Sequence, residues 1–244
     1  PVFLAEMTML TALRTAATSA MVARRLARPD STTMAMIGAG SQAEFQALAF
    51  RGVLGITRLR IYDVDAAASA KFVRNLAPRG FDITVCDSAA DAARGADIVT
   101  TCTADKAVAQ VLTDADVAPG MHINTIGGDC PGKTELDPRI LDRGPVFVEY
   151  TPQTRVEGEI QNVAPDFPVT EFWRVLTGSA FGRTSPEQVT IFDSVGFAIE
   201  DYSALRHLRA DLAASGLGAE IDLVAAPEDP KDLFGFATSP VPVA

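Results

Sequence analysis

The sequence predicts an α/β fold built on a doubly wound parallel sheet. Six short apolar runs, Met34 to Ile37, Leu59 to Tyr62, Ile83 to Cys86, Ile98 to Thr101, His122 to Ile126 and Val146 to Val148, alternate with Ala-rich stretches of helical spacing. Strict alternation of strand and helix calls for parallel neighbours, because a parallel neighbour is reached only by a crossover. The runs also lack polar alternation, which is the pattern of strands covered on both faces.

The first helix spans Thr8 to Ala27, where Leu10, Leu13, Ala17 and Met21 recur at helical spacing, with Thr8 as N-cap and Pro29 as stop. Further helices are expected at Gln42 to Arg51, Ala66 to Leu76 and Ala89 to Arg94, and Val108 to Val117 is more broken. After Tyr150 the pattern loosens, with Pro152, Pro165, Pro168 and Pro186 punctuating helical pieces such as Glu171 to Leu176. A long helix from Phe197 to Ser215 ends at Gly216, and Glu220 to Val224 is a last strand candidate before a Pro-rich tail.

Composition narrows the function classes. Of 244 residues 48% are hydrophobic and 21% charged, values of an ordinary globular chain. Every apolar stretch is interrupted well short of the ~18 residues a membrane-spanning helix needs. The formal net charge of −10 speaks against nucleic acid or an anionic membrane as partner, and the one basic cluster, Arg24, Arg25 and Arg28, reads as a solvated helix end. Cys86, Cys102 and Cys130 form no CxxC pair, and His122 and His207 sit in no ligand spacing, so no metal and no disulfide framework is expected. A cytoplasmic setting fits best. The chain opens Pro1-Val2-Phe3-Leu4, which reads as mid-protein sequence.

Strand one runs into Gly38-Ala39-Gly40-Ser41-Gln42-Ala43, a GxGxxA pattern followed by a helix. In a Rossmann-type fold the first Gly permits the tight turn, the second lets the backbone approach a pyrophosphate, and the small third residue allows close helix packing. The helix N-terminus then offers its unpaired N–H groups to phosphate. Strand two ends in Asp63, 23 residues after Gly40. A carboxylate about 20 residues on is where such a site holds the ribose hydroxyls. Neither Val64 nor Asp65 supplies an Arg for a 2′-phosphate, so the expected cofactor is NAD.

Strand five leads into Gly127-Gly128-Asp129-Cys130-Pro131-Gly132-Lys133-Thr134-Glu135-Leu136. Gly127 to Thr134 fits GxxxxGKT, the signature of a nucleoside triphosphatase loop. Two features oppose that reading: Pro138 interrupts the helix such a loop requires, and Asp129 puts a negative charge in the phosphate cradle. In a doubly wound sheet ligands lie beyond the C-terminal strand ends, so Asp129 and Lys133 fall where a nicotinamide and a substrate would meet. A carboxylate there is able to take a proton from a substrate amine as hydride leaves the adjacent carbon. It also reads as a turn cap. Cys130 has no sequence neighbour to activate it as a nucleophile.

Four stretches together resemble the ornithine cyclodeaminase and mu-crystallin family: Thr11 to Ala20, Gly38 to Gln46, Gly127 to Leu136, and Asp193-Ser194-Val195-Gly196. Arg155 to Gln161 adds weaker support, and the Gly-Asp-Cys-Pro-Gly-Lys-Thr-Glu-Leu stretch is more typical of the cyclodeaminase branch. The resemblance implies NAD-dependent, redox-neutral cyclisation of L-ornithine or a close diamino acid to proline with loss of ammonia. It implies Asp129 as proton acceptor and donor, Arg14 on the substrate carboxylate and Val195 beside the substrate. It further implies Gly38, Gly40, Ser41, Gln42, Asp63, Thr103, the segment His122, Ile123, Asn124 and Thr125, Lys133 and Ser194 as NAD contacts. Thr103 and Ser194 also read as turn residues, and Lys133 as a solvated charge.

Relatives of this kind carry a segment ahead of the Arg14 helix that supplies cationic groups and much of a homodimer surface. The resemblance therefore divides the chain into 1–28, a remnant of a substrate and dimerisation domain, 29–218, the NAD-binding Rossmann domain, and 219–244, a return to the substrate domain. An imine reductase or amino-acid dehydrogenase of the same family, and a non-catalytic NAD-binding crystallin-like protein, are the alternatives.

Overall fold

The structure, a computed structural model, describes residues 2–104, 109–219 and, beyond these, 229, 231, 232 and 234. The strand candidate Glu220 to Val224 and the tail beyond it lie outside the described residues.

Helix α1 (Thr8–Leu26) precedes a series of parallel strands and helices: β1 (Thr33–Ile37), α2 (Ala43–Leu54), β2 (Arg58–Tyr62), α3 (Ala66–Leu76), β3 (Asp82–Val85), α4 (Ala89–Ala93), β4 (Ile98–Thr101) and β5 (His122–Thr125). There follow β6 (Val146–Val148), α5 (Thr151–Glu157), β7 (Val169–Glu171), α6 (Trp173–Leu176), β8 (Thr190–Asp193) and α7 (Ala198–Ser215). The strands make one eight-stranded sheet in the order β3-β2-β1-β4-β5-β8-β6-β7, with every pairing parallel. The chain winds outward from β1 to β3, then returns to lay β4 on the other side of β1. That reversal opens a crevice above the ends of β1 and β4.

Interior strands are covered on both faces. Ala35, Ile37, Val99 and Ile123 enter one apolar cluster, and Met34, Met36 and Ile98 enter the other, as alternation along a pleated strand requires. The edge strands β3 and β7 are only partly covered.

Several elements depart from the sequence expectation for identifiable reasons. Thr8 is the first residue of α1 rather than its cap; Met7 holds the cap position, and Glu6 Oε1 accepts the Thr8 N–H at 2.6 Å. α1 buries a small-residue stripe, Ala12, Ala16, Ala20 and Ala23, which lets the helix lie close on α2, and packs Val22 and Leu26 against Phe147, Phe172 and Phe192, whereas Leu13 and Met21 remain exposed. Pro152 punctuates the sequence yet occupies the first turn of α5, where its missing N–H costs nothing. The expected helical piece Glu171 to Leu176 begins as strand, because β7 pairs with β6, and turns helical only at Trp173. Strand β8 was unforeseen: its four residues begin and end in polar side chains, and only pairing with β5 and β6 defines it.

The described residues form two compact units, one ending at Arg206 and the other starting at His207. α1 lies within the first unit, against α2 and β5. Among the described residues no helix is long and apolar enough to cross a membrane, and no cluster of His, Cys, Asp or Glu is arranged to hold a metal.

Candidate active site

The tight turn after β1 brings two chain segments nearly into contact. Gly38 has φ +101°, and a side chain there would meet the Cys102 carbonyl oxygen at 2.7 Å. Only glycine satisfies both demands. A side chain on Gly40, by contrast, would meet nothing within 4 Å, so the backbone there faces open space. Ser41 and Gln42 then lead into the N-terminus of α2, whose 12 residues are a long enough helix to present a set of unpaired N–H groups. Asp63 follows the end of β2; its Oδ2 accepts the Ala39 N–H at 2.6 Å and its Oδ1 the Asp65 N–H at 2.8 Å. The carboxylate is thus fixed against the glycine turn.

A cleft of about 320 Å³ opens at this point. It is bordered by Gly40, Ser41 and Gln42 on one side, Thr103 and the Gly127–Lys133 loop on another, and Arg14, Ser194 and Val195 on a third. The fold thereby brings Arg14, Asp129 and Lys133 around the same cavity as the glycine turn. A second cavity, about 350 Å³, lies by the first residues of β6 and β7, the opposite strand ends from those that hold ligands in this architecture.

Asp129 reaches into the cleft with its side chain 66% exposed, and Lys133 Nζ, itself buried, donates to Asp129 Oδ1 at 3.1 Å. Beyond Thr134 the chain bridges from Leu136 to Leu112 and enters a 3₁₀ turn at Pro138–Arg143. No α-helix starts at Lys133, so the triphosphatase loop has no phosphate-binding helix here. Arg14 lies against Gly196, whose φ is +70° and whose missing side chain leaves the room for the guanidinium. Glu200 Oε2 accepts from Arg14 Nη1 at 3.0 Å and Asp201 Oδ1 from Nε at 2.9 Å.

His122, Ile123, Asn124 and Thr125 do not border the cleft; all four are buried within β5. His122 stands at the start of the strand, the end away from the cavity. Its Nδ1 is 3.0 Å from Thr190 Oγ1, which donates to the Leu26 carbonyl, so the ring is the donor in the first bond. Burial and the nearby Arg183 depress the His122 pKa to about 3, and the ring is neutral. The residues that reach the cleft from β5 are the following three, Ile126, Gly127 and Gly128.

The sequence reading missed a set of buried acids that hold the rim. Asp193 accepts the N–H groups of Glu159 at 2.9 Å and Ile160 at 3.0 Å. Glu159 in turn accepts those of Glu135 at 2.7 Å and Leu136 at 3.0 Å. Glu135 accepts from Thr101 Oγ1, Thr103 N–H and Thr103 Oγ1, each at 2.6 Å, and from Gly127 N–H at 2.9 Å. Separately, Glu149 accepts from the Ser194 hydroxyl and from the N–H groups of Val195 and Gly196. Ser194 thus spends its hydroxyl hydrogen on Glu149. A carboxylate directly after a buried strand, as Glu149 follows Val148, was the available sequence signal.

Burial raises Glu149 to about 7 and Glu159 to about 8, against the hydrogen bonds each accepts, and raises Glu200 to about 7 despite Arg14. Their ordinary value is 4.5. A carboxyl whose pKa is higher folded than unfolded stabilises the fold fully below the unfolded value and loses that contribution as pH rises through the folded one. His122 works oppositely, but its unfolded value lies near 6.5, so its effect is complete above about pH 7. The melting temperature is therefore expected to fall by several degrees between about pH 7 and about pH 9. Scanning calorimetry across that range checks this; a rising melting temperature would contradict the protonated state of these acids.

Comparison with known proteins agrees over nearly the whole chain. Residues 1–216 match the model of the ornithine cyclodeaminase/mu-crystallin family. An ornithine cyclodeaminase of Agrobacterium fabrum strain C58 is 59% identical over 236 residues, covering 97% of this chain and 67% of that protein. The chain spans about two thirds of the length of the curated relatives it matches. A lysine cyclodeaminase structure, described for recognition of L-lysine, L-ornithine and L-2,4-diaminobutyric acid, is 36% identical with a TM-score of 0.86 over 94% of this chain and 67% of its own. An archaeal alanine dehydrogenase dimer with bound NAD is 34% identical, with a TM-score of 0.84 over 89% of this chain and 69% of its own. The glycine turn, the cleft and the likeness in both sequence and structure lead to one conclusion: this chain belongs to the ornithine cyclodeaminase/mu-crystallin family.

Proposed function

We propose that the complete protein converts L-ornithine, or a close diamino acid, to L-proline with release of ammonia, using NAD held in the cleft. The observation that carries this reading is the convergence on one cavity of a dinucleotide turn, a cation for a carboxylate, and a solvent-facing carboxylate for a proton. The 59% identity to a named ornithine cyclodeaminase selects the substrate class.

The site fits NAD. Gly40 leaves a cradle that a side chain would fill, Ser41, Gln42 and the start of α2 offer polar groups to phosphate, and Asp63 stands ready for ribose hydroxyls. Thr103, Lys133 and Ser194 border the remainder of the cavity. Bound NAD would supply a reversible hydride acceptor at the substrate α-carbon. The chain's own residues bind and move protons around that centre. Arg14 holds the substrate carboxylate through a planar fork, and Val195 packs beside it. Asp129 takes a proton from the α-amine, without which a C=N bond cannot form there, and returns a proton as the ring is completed. Lys133 fixes the Asp129 carboxylate through its hydrogen bond.

In this reading residues 1–28 and the segment from 219 belong with a substrate-side domain, and the active protein is a homodimer, as the alanine dehydrogenase relative is described. Buried thiols at Cys86 and Cys102 suit a reducing cytoplasm.

The test is to supply the complete protein with ornithine and NAD and to quantify proline and ammonia. Both are expected in equal amounts with no net NADH; net NADH would instead indicate an amino-acid dehydrogenase. NAD is expected to bind at least about tenfold more tightly than NADP, because Asp63 repels a 2′-phosphate. Equal affinity in parallel titrations would remove Asp63 from the ribose site.

A further inference from the structure

We propose that Glu135 is a positioning residue that sets both the NAD-facing lip of the cleft and the loop bearing Asp129. The inference rests on the functional reading above. Two strand ends flank the cavity, β4 running into Thr103 and β5 into Gly127, and they are separate in sequence. One carboxylate joins them. Oε1 of Glu135 accepts both hydrogens that Thr103 offers, and Oε2 accepts Thr101 Oγ1 and Gly127 N–H. Gly127 carries no side chain because a Cβ there would overlap the Glu135 carboxyl group. From Gly127 only one residue intervenes before Asp129, so the orientation of the Gly127 peptide is carried directly to the proton-handling group.

The clamp is itself held. Glu159 fixes the backbone of Glu135 and Leu136, and Asp193 fixes the backbone of Glu159 and Ile160. Glu135 is 1% exposed, so its oxygens are committed to these donors and not shared with bulk water. It does not border the cavity, and it acts through Thr103 and the Gly127 loop rather than on the reactants.

Each carboxylate oxygen receives two donors, which makes the Glu135→Gln variant informative. Whichever way the amide is turned, its NH₂ group faces one threonine hydroxyl, which can turn to accept from it, and one backbone N–H, of Thr103 or of Gly127, which loses its acceptor at constant shape. Thr101→Val is the milder companion: Thr101 is buried in β4, borders no part of the cleft, and gives Glu135 one hydroxyl bond. In the complete protein, NAD dissociation constants measured by calorimetry are expected to rise about tenfold for Glu135→Gln and about threefold for Thr101→Val. At saturating NAD, kcat with ornithine is expected to fall about tenfold in Glu135→Gln while KM for ornithine stays within about twofold.

If both variants bind NAD as the unaltered protein does and only melt at lower temperature, Glu135 merely braces the fold and the proposal is overturned. Should Glu135→Gln fail to fold, unchanged NAD affinity in Thr101→Val overturns it equally. An unaltered protein that binds NAD but leaves ornithine untouched removes the cyclodeaminase reading, and the NAD titrations still decide the role of Glu135.

Discussion

Asp129→Asn in the complete protein is expected to lower kcat about 100-fold or more and to leave NAD affinity nearly unchanged. The substitution keeps the size of the side chain and an oxygen able to accept from Lys133 Nζ, now 3.1 Å from Asp129 Oδ1. What it removes is the capacity to bind a proton. Because the side chain is 66% exposed, folding depends on it little, so a loss of rate reports chemistry and not collapse. Steady-state proline formation and NAD calorimetry on the same preparation separate the two effects. Undiminished cyclisation would show that another group handles the amine proton, and the mechanism argued from the cleft would fall with it.

Arg14→Ala is expected to raise KM for ornithine about 100-fold with a smaller change in kcat, since two charge-assisted hydrogen bonds to a carboxylate contribute about 3 kcal/mol together. Glu200 and Asp201 hold Nη1 and Nε of Arg14, so the guanidinium is aimed before any ligand arrives. Arg14→Lys keeps the charge but loses the planar fork, and an intermediate KM is expected. An unchanged KM in Arg14→Ala would place the substrate carboxylate elsewhere. Melting curves on both variants report whether the partly buried Glu200, deprived of its cation, loosens the start of α7.

How far the sequence carried depended on the range of the interactions. The turn from Gly38 to Ala43, Asp63 at the end of β2, and the loop from Gly127 to Lys133 were legible because each is a local pattern attached to a strand end. Strand β8 was not, since four residues between polar ends acquire their identity from pairing with β5 and β6. The roles of the rim acids were illegible for the same reason. Glu159 stands within the Arg155 to Gln161 stretch, yet nothing local assigns its carboxyl a task; its role comes from meeting the Glu135 and Leu136 amides across a fold. His122 shows the converse hazard. A histidine in a segment expected near the cofactor proved to sit at the start of β5, where its ring is neutral and turned into the sheet.

Three glycines of the rim are each seated against a charged group: Gly127 against the Glu135 carboxyl, Gly158 against Asp193 with its oxygens 2.6 Å from where a Cβ would lie, and Gly196 against the Arg14 guanidinium. Gly127 and Glu135 behave as one heritable unit. A larger residue at 127 evicts the carboxyl, while a shorter side chain at 135 removes the obstacle that keeps position 127 small. The other two glycines are held twice over: Thr154 Cγ2 lies 2.5 Å from where a Cβ of Gly158 would sit, and Gly196 keeps φ +70° whatever becomes of Arg14. In diverging descendants of this chain, a side chain at position 127 would therefore report that Glu135 had been given up, whereas positions 158 and 196 would stay small.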